Sequence, residues 1–323
     1  MYSSSDLILP ADARPRLRPV RAPRRILHLS SADTGLISRT EMLAHGETDA
    51  SIRAAVRDGI LRRVARGWYA FDGAEPRTIA PLRHGHRLTC ISVTPMHGLW
   101  TPHGDSSARP GQSISRLHVY RYQDSRSTPS RMAGHPTPHR GWPEPDPVAS
   151  LPLALEHAMR CQDGETAAIL LESAMAQGLL GPVEVTALLT AAPAAVRSRI
   201  GRLSTASDSG SETRVVRWLR RRGFTVEQQV YLDGVGYLDA YVGGIFLEID
   251  GRRPHTAQEV FEADRARDLT ATSLGLQVLR ISYQQVWLDW PRTQRKILAA
   301  IREVGPFGRA KVRALAGQRL AAA

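Results

Sequence analysis

Two apolar runs meeting at a glycine pair, GYLDAYV and IFLEID on either side of Gly243 and Gly244, constrain the fold of this chain more than any other stretch. Alternate side chains of an extended strand face the same way, so Glu248 and Asp250 are expected on one face of the second run. A hairpin closed through Gly243 and Gly244 then sets Asp239 of the first run beside them, at the same end. Three carboxylates so close raise each other's proton affinity unless a cation intervenes. The expected cation is a hard divalent ion, magnesium or manganese, held by oxygen ligands at Asp239, Glu248 and Asp250. Placing Glu248 among Ile245, Phe246, Leu247 and Ile249 costs several kcal/mol unless it is compensated, which favours a site over a solvated strand end. Such an ion activates water and stabilises a leaving oxygen in phosphodiester hydrolysis, so the stretch reads as a nuclease-like core.

The other limits come from size, charge and cysteine usage. A chain of 323 residues, 42% hydrophobic, suffices for two or three domains. No uninterrupted apolar stretch reaches the ~20 residues of a membrane helix, and the first 25 residues carry no apolar signal core. A cytoplasmic, nucleoid-associated protein without a membrane partner is therefore expected. The net charge of +12 and pI near 10.5 favour a polyanionic partner, with DNA the foremost. The basic residues are almost all arginine, Lys296 and Lys311 being the exceptions, and arginine grips phosphate bidentately. Cys90 and Cys161 are widely separated, and His84, His86, His97, His103, His118, His135 and His139 follow no zinc spacing. The sequence thus predicts no disulfide framework, no zinc and no organic cofactor.

In chain order, residues 1–25 read as a disordered basic tail with Pro10, Pro15, Pro19 and Pro23. Residues 26–75 carry two short helices and a hairpin. Ser38 and Glu41 have capping-box spacing with Gly46 as a stop, Thr48 or Asp49 opens the next helix with Gly59 at its end, and ILRRVARGWYAF gives two strands. That is the order of a winged helix-turn-helix, with Arg53 and Arg57 on the reading helix and Arg62, Arg63 and Arg66 on the wing, facing DNA. A small helical domain used for packing or partner contact has the same pattern. Residues 76–204 form an α+β middle region: CISVTPMHGLW and RLHVYRY read as strands, Ser127 to Pro147 is proline-rich, and LPLALEHAMRC, ETAAILLESAMAQG and VEVTALLTAAP read as scaffold helices. After STASDSGS, residues 205–305 run helix, three strands, helix (256–275), strand (LQVLRIS), helix. This describes a mixed sheet flanked by helices, the α/β/α core of a restriction-endonuclease-like domain. Residues 306–323 are a basic C-terminal tail. The fold class is multidomain α/β.

The segment 26–75, with its "G-ILRRV-RGWY" character, resembles the N-terminal winged helix of AbiEi-type antitoxins. Residues 205–303 resemble the PD-(D/E)XK proteins similar to very-short-patch-repair endonucleases, through Ser211–Glu212, "LDAYV" around Asp239, "LEIDGRRPH" from Leu247 to His255, "DRARD" from Asp264 to Asp268, and "GLQVLRIS" with Arg280. The resemblance implies that Asp239 and Glu248 hold the metal, that Glu212 completes the site from its helix, and that His255 acts as general acid or base. It also implies that Arg267, Asp268 and Arg280 brace the site. Asp250 stands where the commonest version of the motif has lysine, so Arg252, Arg253 or His255 must supply positive charge. Two functions follow as expectations: a metal-dependent DNA endonuclease of repair, restriction or phage-defence type, or a noncatalytic antitoxin-like DNA-binding regulator with a degenerate nuclease fold and a toxin partner. A homodimer would suit palindromic operators.

Overall fold

A computed structural model describes the protein at residues 7–8, 27–102, 116–121, 128–135, 146–251 and 269–304. The chain divides into two compact units, the first chiefly Pro19–Gly201 and the second chiefly Arg202–Ala323. It is mixed α/β, with several small sheets rather than one large one. No helix among the described residues is long and apolar enough to cross a membrane.

Unit 1 opens with α1 (Ser31–Thr34), β2 (Leu36–Ser38), α2 (Arg39–Ala44), α3 (Asp49–Arg57), β3 (Arg62–Ala65) and β4 (Trp68–Ala70); β1 (Leu7–Ile8) belongs to the other unit. Local chemistry sets these boundaries. Ser38 Oγ accepts from the Glu41 amide, Thr48 Oγ1 accepts from the Ser51 amide, and Gly46 and Gly59 take positive φ after each helix. The strands pair antiparallel in the order β2-β4-β3. Met42, Ile52 and Leu61 form one small core, and Leu36, Val64, Ala70, Ile79 and Leu82 another.

Next come α4 (Pro76–Arg83) and a second three-stranded sheet, β5 (His86–Leu88), β6 (Leu117–Arg121) and β7 (Met132–His135), in which β5 is antiparallel and β7 parallel to β6. The stretch 90–100, expected as a strand, is instead a 3₁₀ turn at Cys90–Ser92 followed by further turns. The reason is local: the amides of Ser92, Val93 and Met96 bond three residues back, Pro95 has no amide to give a ladder, and Gly98 is left-handed. The strand falls earlier, at His86–Leu88, and β7 lies inside the proline-rich stretch Ser127 to Pro147, for which no strand was expected. Four helices complete the unit, α5 (Leu151–Cys161), α6 (Gly164–Ala176), α7 (Pro182–Ala191) and α8 (Ala194–Ile200). The α6–α8 approach is so close that a Cβ on Gly164 would lie 2.1 Å from the Arg199 carbonyl oxygen.

Unit 2 pairs β1 in parallel with β8 (Leu203–Ser204), so Leu7 and Ile8, expected within a disordered tail, join a strand pair. Then follow α9 (Gly210–Arg221) and a four-stranded sheet of β9 (Val226–Leu232), β10 (Gly236–Val242), β11 (Ile245–Ile249) and β12 (Val278–Ile281) in the order β12-β11-β10-β9. The hairpin closes at Gly243 and Gly244, both at positive φ, with Val242 opposite Ile245, as the two-residue turn requires. The parallel β11–β12 pair makes the sheet mixed. One face packs on α9 and on α11 (Trp290–Glu303) through Val215, Leu219, Leu247, Ile249, Ile297 and Ile301; α10 (Tyr283–Trp287) precedes α11. The other face carries Leu232, Leu238 and Phe246 with Ala271, from the helical residues 269–273. Trp218 and Trp290 meet edge-on at 5.3 Å, with the Arg214 guanidinium over Trp287 and Trp290 and that of Arg222 over Trp218.

Candidate functional site

The carboxylates of unit 2 gather where the first turn of α9 meets β9, β10 and β11. Ser209 caps α9 by accepting from the Glu212 amide, which points the Glu212 side chain back over the helix start. There Oε2 accepts from the Asp208 amide at 2.8 Å and from Gln229 Nε2 at 3.2 Å. Glu212 is 4% exposed, and its proton affinity is pushed up to about 8, first by burial and then by the charge of Asp239.

The β10–β11 register runs Val242↔Ile245, Tyr241↔Phe246, Ala240↔Leu247, so its continuation sets Asp239 opposite Glu248. At that point Asp239 Oδ2 takes the Ile249 amide, at 2.6 Å. On its other side Asp239 faces Gln229, which lies between the paired positions Val230 and Gln228 and has φ +57°. That left-handed residue interrupts the ladder and aims its amide at Glu212. Glu248 is half-buried, and its Oε2 accepts from Nε of Arg280, its partner on β12, at 2.8 Å. The strand ends at Ile249, so the alternation that would keep Asp250 with Glu248 stops one residue short, and Asp250 is exposed.

Of the predicted residues, Glu212, Asp239, Glu248 and Arg280 are therefore drawn to one end of the sheet, and Asp250 stands at its rim. Arg252, Arg253, His255, Arg267 and Asp268 lie outside the described residues. In unit 1, Arg53 and Arg57, one turn apart on α3, and Arg62, Arg63 and Arg66 around the β3–β4 hairpin are all exposed.

The tightest group of metal-ligating side chains is elsewhere. Cys90, His118, His135 and Cys161 of unit 1 place one donor atom each within 4.8 Å of all the others, and it is the single such group among the described residues. This overturns the expectation of no zinc. Neither the cysteines nor the histidines have zinc spacing along the chain, but the fold supplies what the spacing lacks. Tyr120 is opposite His135 in the parallel β6–β7 pair, and His118, two residues before Tyr120, shares its face. His118 Nδ1 lies 3.0 Å from His135 Nε2. Cys161, the last residue of α5, brings Sγ to 3.5 Å from His118 Nδ1. Cys90 enters from the 3₁₀ turn at φ +53°.

A second layer fixes the donors. Gln162 Nε2 donates toward both sulfurs, at 3.6 Å to Cys90 and 3.3 Å to Cys161. The His135 ring stacks on His157, which pairs with Thr89 Oγ1 at 2.8 Å. Cys161 is held below its ordinary range chiefly by the hydrogen bond from Cys90, helped by His118 and His135, while burial and the neighbouring sulfur push Cys90 up.

His84 is exposed, His97 bonds the Ala149 carbonyl oxygen, and His103 and His139 lie outside the described residues. No protein family, curated protein or solved structure matches the chain.

Proposed function

We propose that this protein is a metal-dependent DNA endonuclease whose reaction centre is the carboxylate end of the unit 2 sheet. The observation that carries the reading is Glu212, a buried acid with its proton affinity raised to about 8 beside Asp239, at the start of a helix and in contact with a left-handed glutamine. A carboxyl group placed so unfavourably for its own charge is what a divalent cation would relieve, and oxygen donors suit a hard ion. Glu212, Asp239 and Glu248 would hold such an ion, and it would supply activation of a water for attack on a phosphodiester, with the water's proton passing to the leaving oxygen. The exposed arginines of α3 and the β3–β4 hairpin fit phosphate contacts in a winged helix-turn-helix.

Two observations favour a second reading, a noncatalytic DNA-binding regulator of antitoxin type. Glu248 is already bonded to Arg280, and the exposed residue that the resemblance sets in the lysine slot is an aspartate, Asp250. A nicking assay on supercoiled plasmid, single strands and mismatched duplexes, with magnesium or manganese, separates the two. Under the endonuclease reading the wild type cleaves and Asp239→Asn and Glu212→Gln do not. DNA binding that is lost on Arg53→Ala with Arg57→Ala, in a wild type that cleaves nothing, supports the regulator.

A further inference from the structure

We propose that Cys90, His118, His135 and Cys161 bind one zinc ion as a closed structural centre, which fastens the C-terminal end of α5 to the β5-β6-β7 sheet. The proposal is independent of the endonuclease reading, since the centre lies wholly within unit 1.

The donor set is the first ground. Two sulfurs and two imidazole nitrogens are the set zinc takes in structural sites, whereas magnesium and calcium take oxygen. Spacing is the second. A tetrahedral zinc with bonds of about 2.3 Å to sulfur and 2.0–2.1 Å to nitrogen separates its ligands by about 3.6 Å for a sulfur–nitrogen edge and about 3.3 Å for a nitrogen–nitrogen edge. The observed Cys161 Sγ to His118 Nδ1 distance is 3.5 Å, and His118 Nδ1 to His135 Nε2 is 3.0 Å. These two edges need movements of a few tenths of an ångström to fit the ion, and the Cys90 sulfur lies within 4.8 Å of the other three donors.

The surroundings are the third ground. A single side-chain amide, that of Gln162, donates toward both sulfurs, the arrangement that stabilises a pair of thiolates sharing one cation. Cys90 is fully buried and adopts a left-handed backbone that few non-glycine residues take; strain of this kind persists where the surroundings hold it for a purpose. All four positions of a tetrahedron are filled by protein, leaving none for a substrate, so the role is architectural. The ligands come from a 3₁₀ turn, two strands and a helix end, so one ion crosslinks four separate elements of the unit.

The test uses the full chain, purified without a metal-affinity column, and reads metal content and spectra rather than activity. Elemental analysis is expected to give one zinc per chain. Exchange with cobalt(II) should produce the visible bands of a tetrahedral site together with sulfur-to-cobalt charge transfer. Cys161→Ser, at the exposed ligand, should roughly halve that charge transfer, and Gln162→Leu should weaken zinc binding about tenfold to a hundredfold while keeping one ion per chain. If Cys161→Ser misfolds, the cobalt spectrum of the wild type still decides. A folded wild type that takes up neither zinc nor cobalt overturns the proposal. So does a Cys90–Cys161 disulfide in the protein isolated under reducing conditions, or zinc affinity unchanged in both variants.

Discussion

In unit 1 two sulfur and two imidazole donors arrive from a turn, two strands and a helix end, and their atoms lie within 4.8 Å of one another. In unit 2 the carboxylates come from a helix start and two strands, and each is held by a protein donor: Glu212 by the Asp208 amide and Gln229, Asp239 by the Ile249 amide, Glu248 by Arg280. The first group is closed and the second is open at the rim where Asp250 is exposed. The two share one backbone device. Among the described residues Cys90 and Gln229 are the non-glycine residues with positive φ, one in each group. Local strain thus marks both places, in agreement with its tendency to gather at functional positions. A closed shell of soft ligands suits architecture, and an open cluster of hard ligands suits chemistry.

Removing metal offers the sharpest way to break this contrast. Chelation of the zinc-loaded chain should destabilise unit 1 by several kcal/mol, on the order expected when a structural ion is lost, with unit 2 unaffected. Calorimetry with and without chelator measures it, and equal destabilisation of both units would erase the distinction. Next in size is the effect of Asp239→Asn on DNA cleavage, expected to be about a hundredfold or more at unchanged thermal stability; loss of stability without loss of cleavage would make the residue structural.

Gly243→Val should cost about 1–3 kcal/mol, because φ is +59° and a Cβ would sit 2.7 Å from Cγ2 of the buried Ile301; urea unfolding of unit 2 reads it.

The pH dependence tests the open site directly. Glu212 is raised from 4.5 to about 8 on folding, so its stabilising contribution is fully present below pH 4.5 and is lost as pH rises through about 8. Stability of the metal-free chain should decline across that window and then level, and Glu212→Gln should flatten the decline. A divalent cation should oppose it in the wild type alone. Smallest is Arg280→Gln, expected to change stability by less than about 1 kcal/mol because the pair is partly exposed, while strengthening manganese binding modestly by removing a nearby positive charge.

The hairpin was legible because its signals are local: a period-two apolar pattern, and a glycine pair at the one spot that needs two positive φ values. The caps at Ser38 and Thr48 and the scaffold helices are local in the same sense. Asp239 and Glu248 followed from strand parity and the hairpin, whereas Arg280 came from the resemblance alone. The strand at His86–Leu88 was hidden because three residues carry too little period, while the apolar 90–100 stretch imitates a strand until Pro95 and its neighbouring turns are considered. The cysteine–histidine group was illegible for a different reason. His118 lies 17 residues from His135 and 43 from Cys161, separations set by a parallel strand pair and a helix end rather than by any one loop. Its faint trace in the sequence is that HVYRY places His118 and Tyr120 on one face, with Cys161 and Gln162 adjacent at a helix stop.

The arginine-braced tryptophans of unit 2 carry an optical consequence. Trp218 and Trp290, 5.3 Å apart and inclined at 68°, are close and skewed enough for their indole transitions to couple, so the pair should give a two-signed circular dichroism band. Because both rings belong to unit 2, that band is a built-in tag for it, read without labels while unit 1 gains or loses its ion.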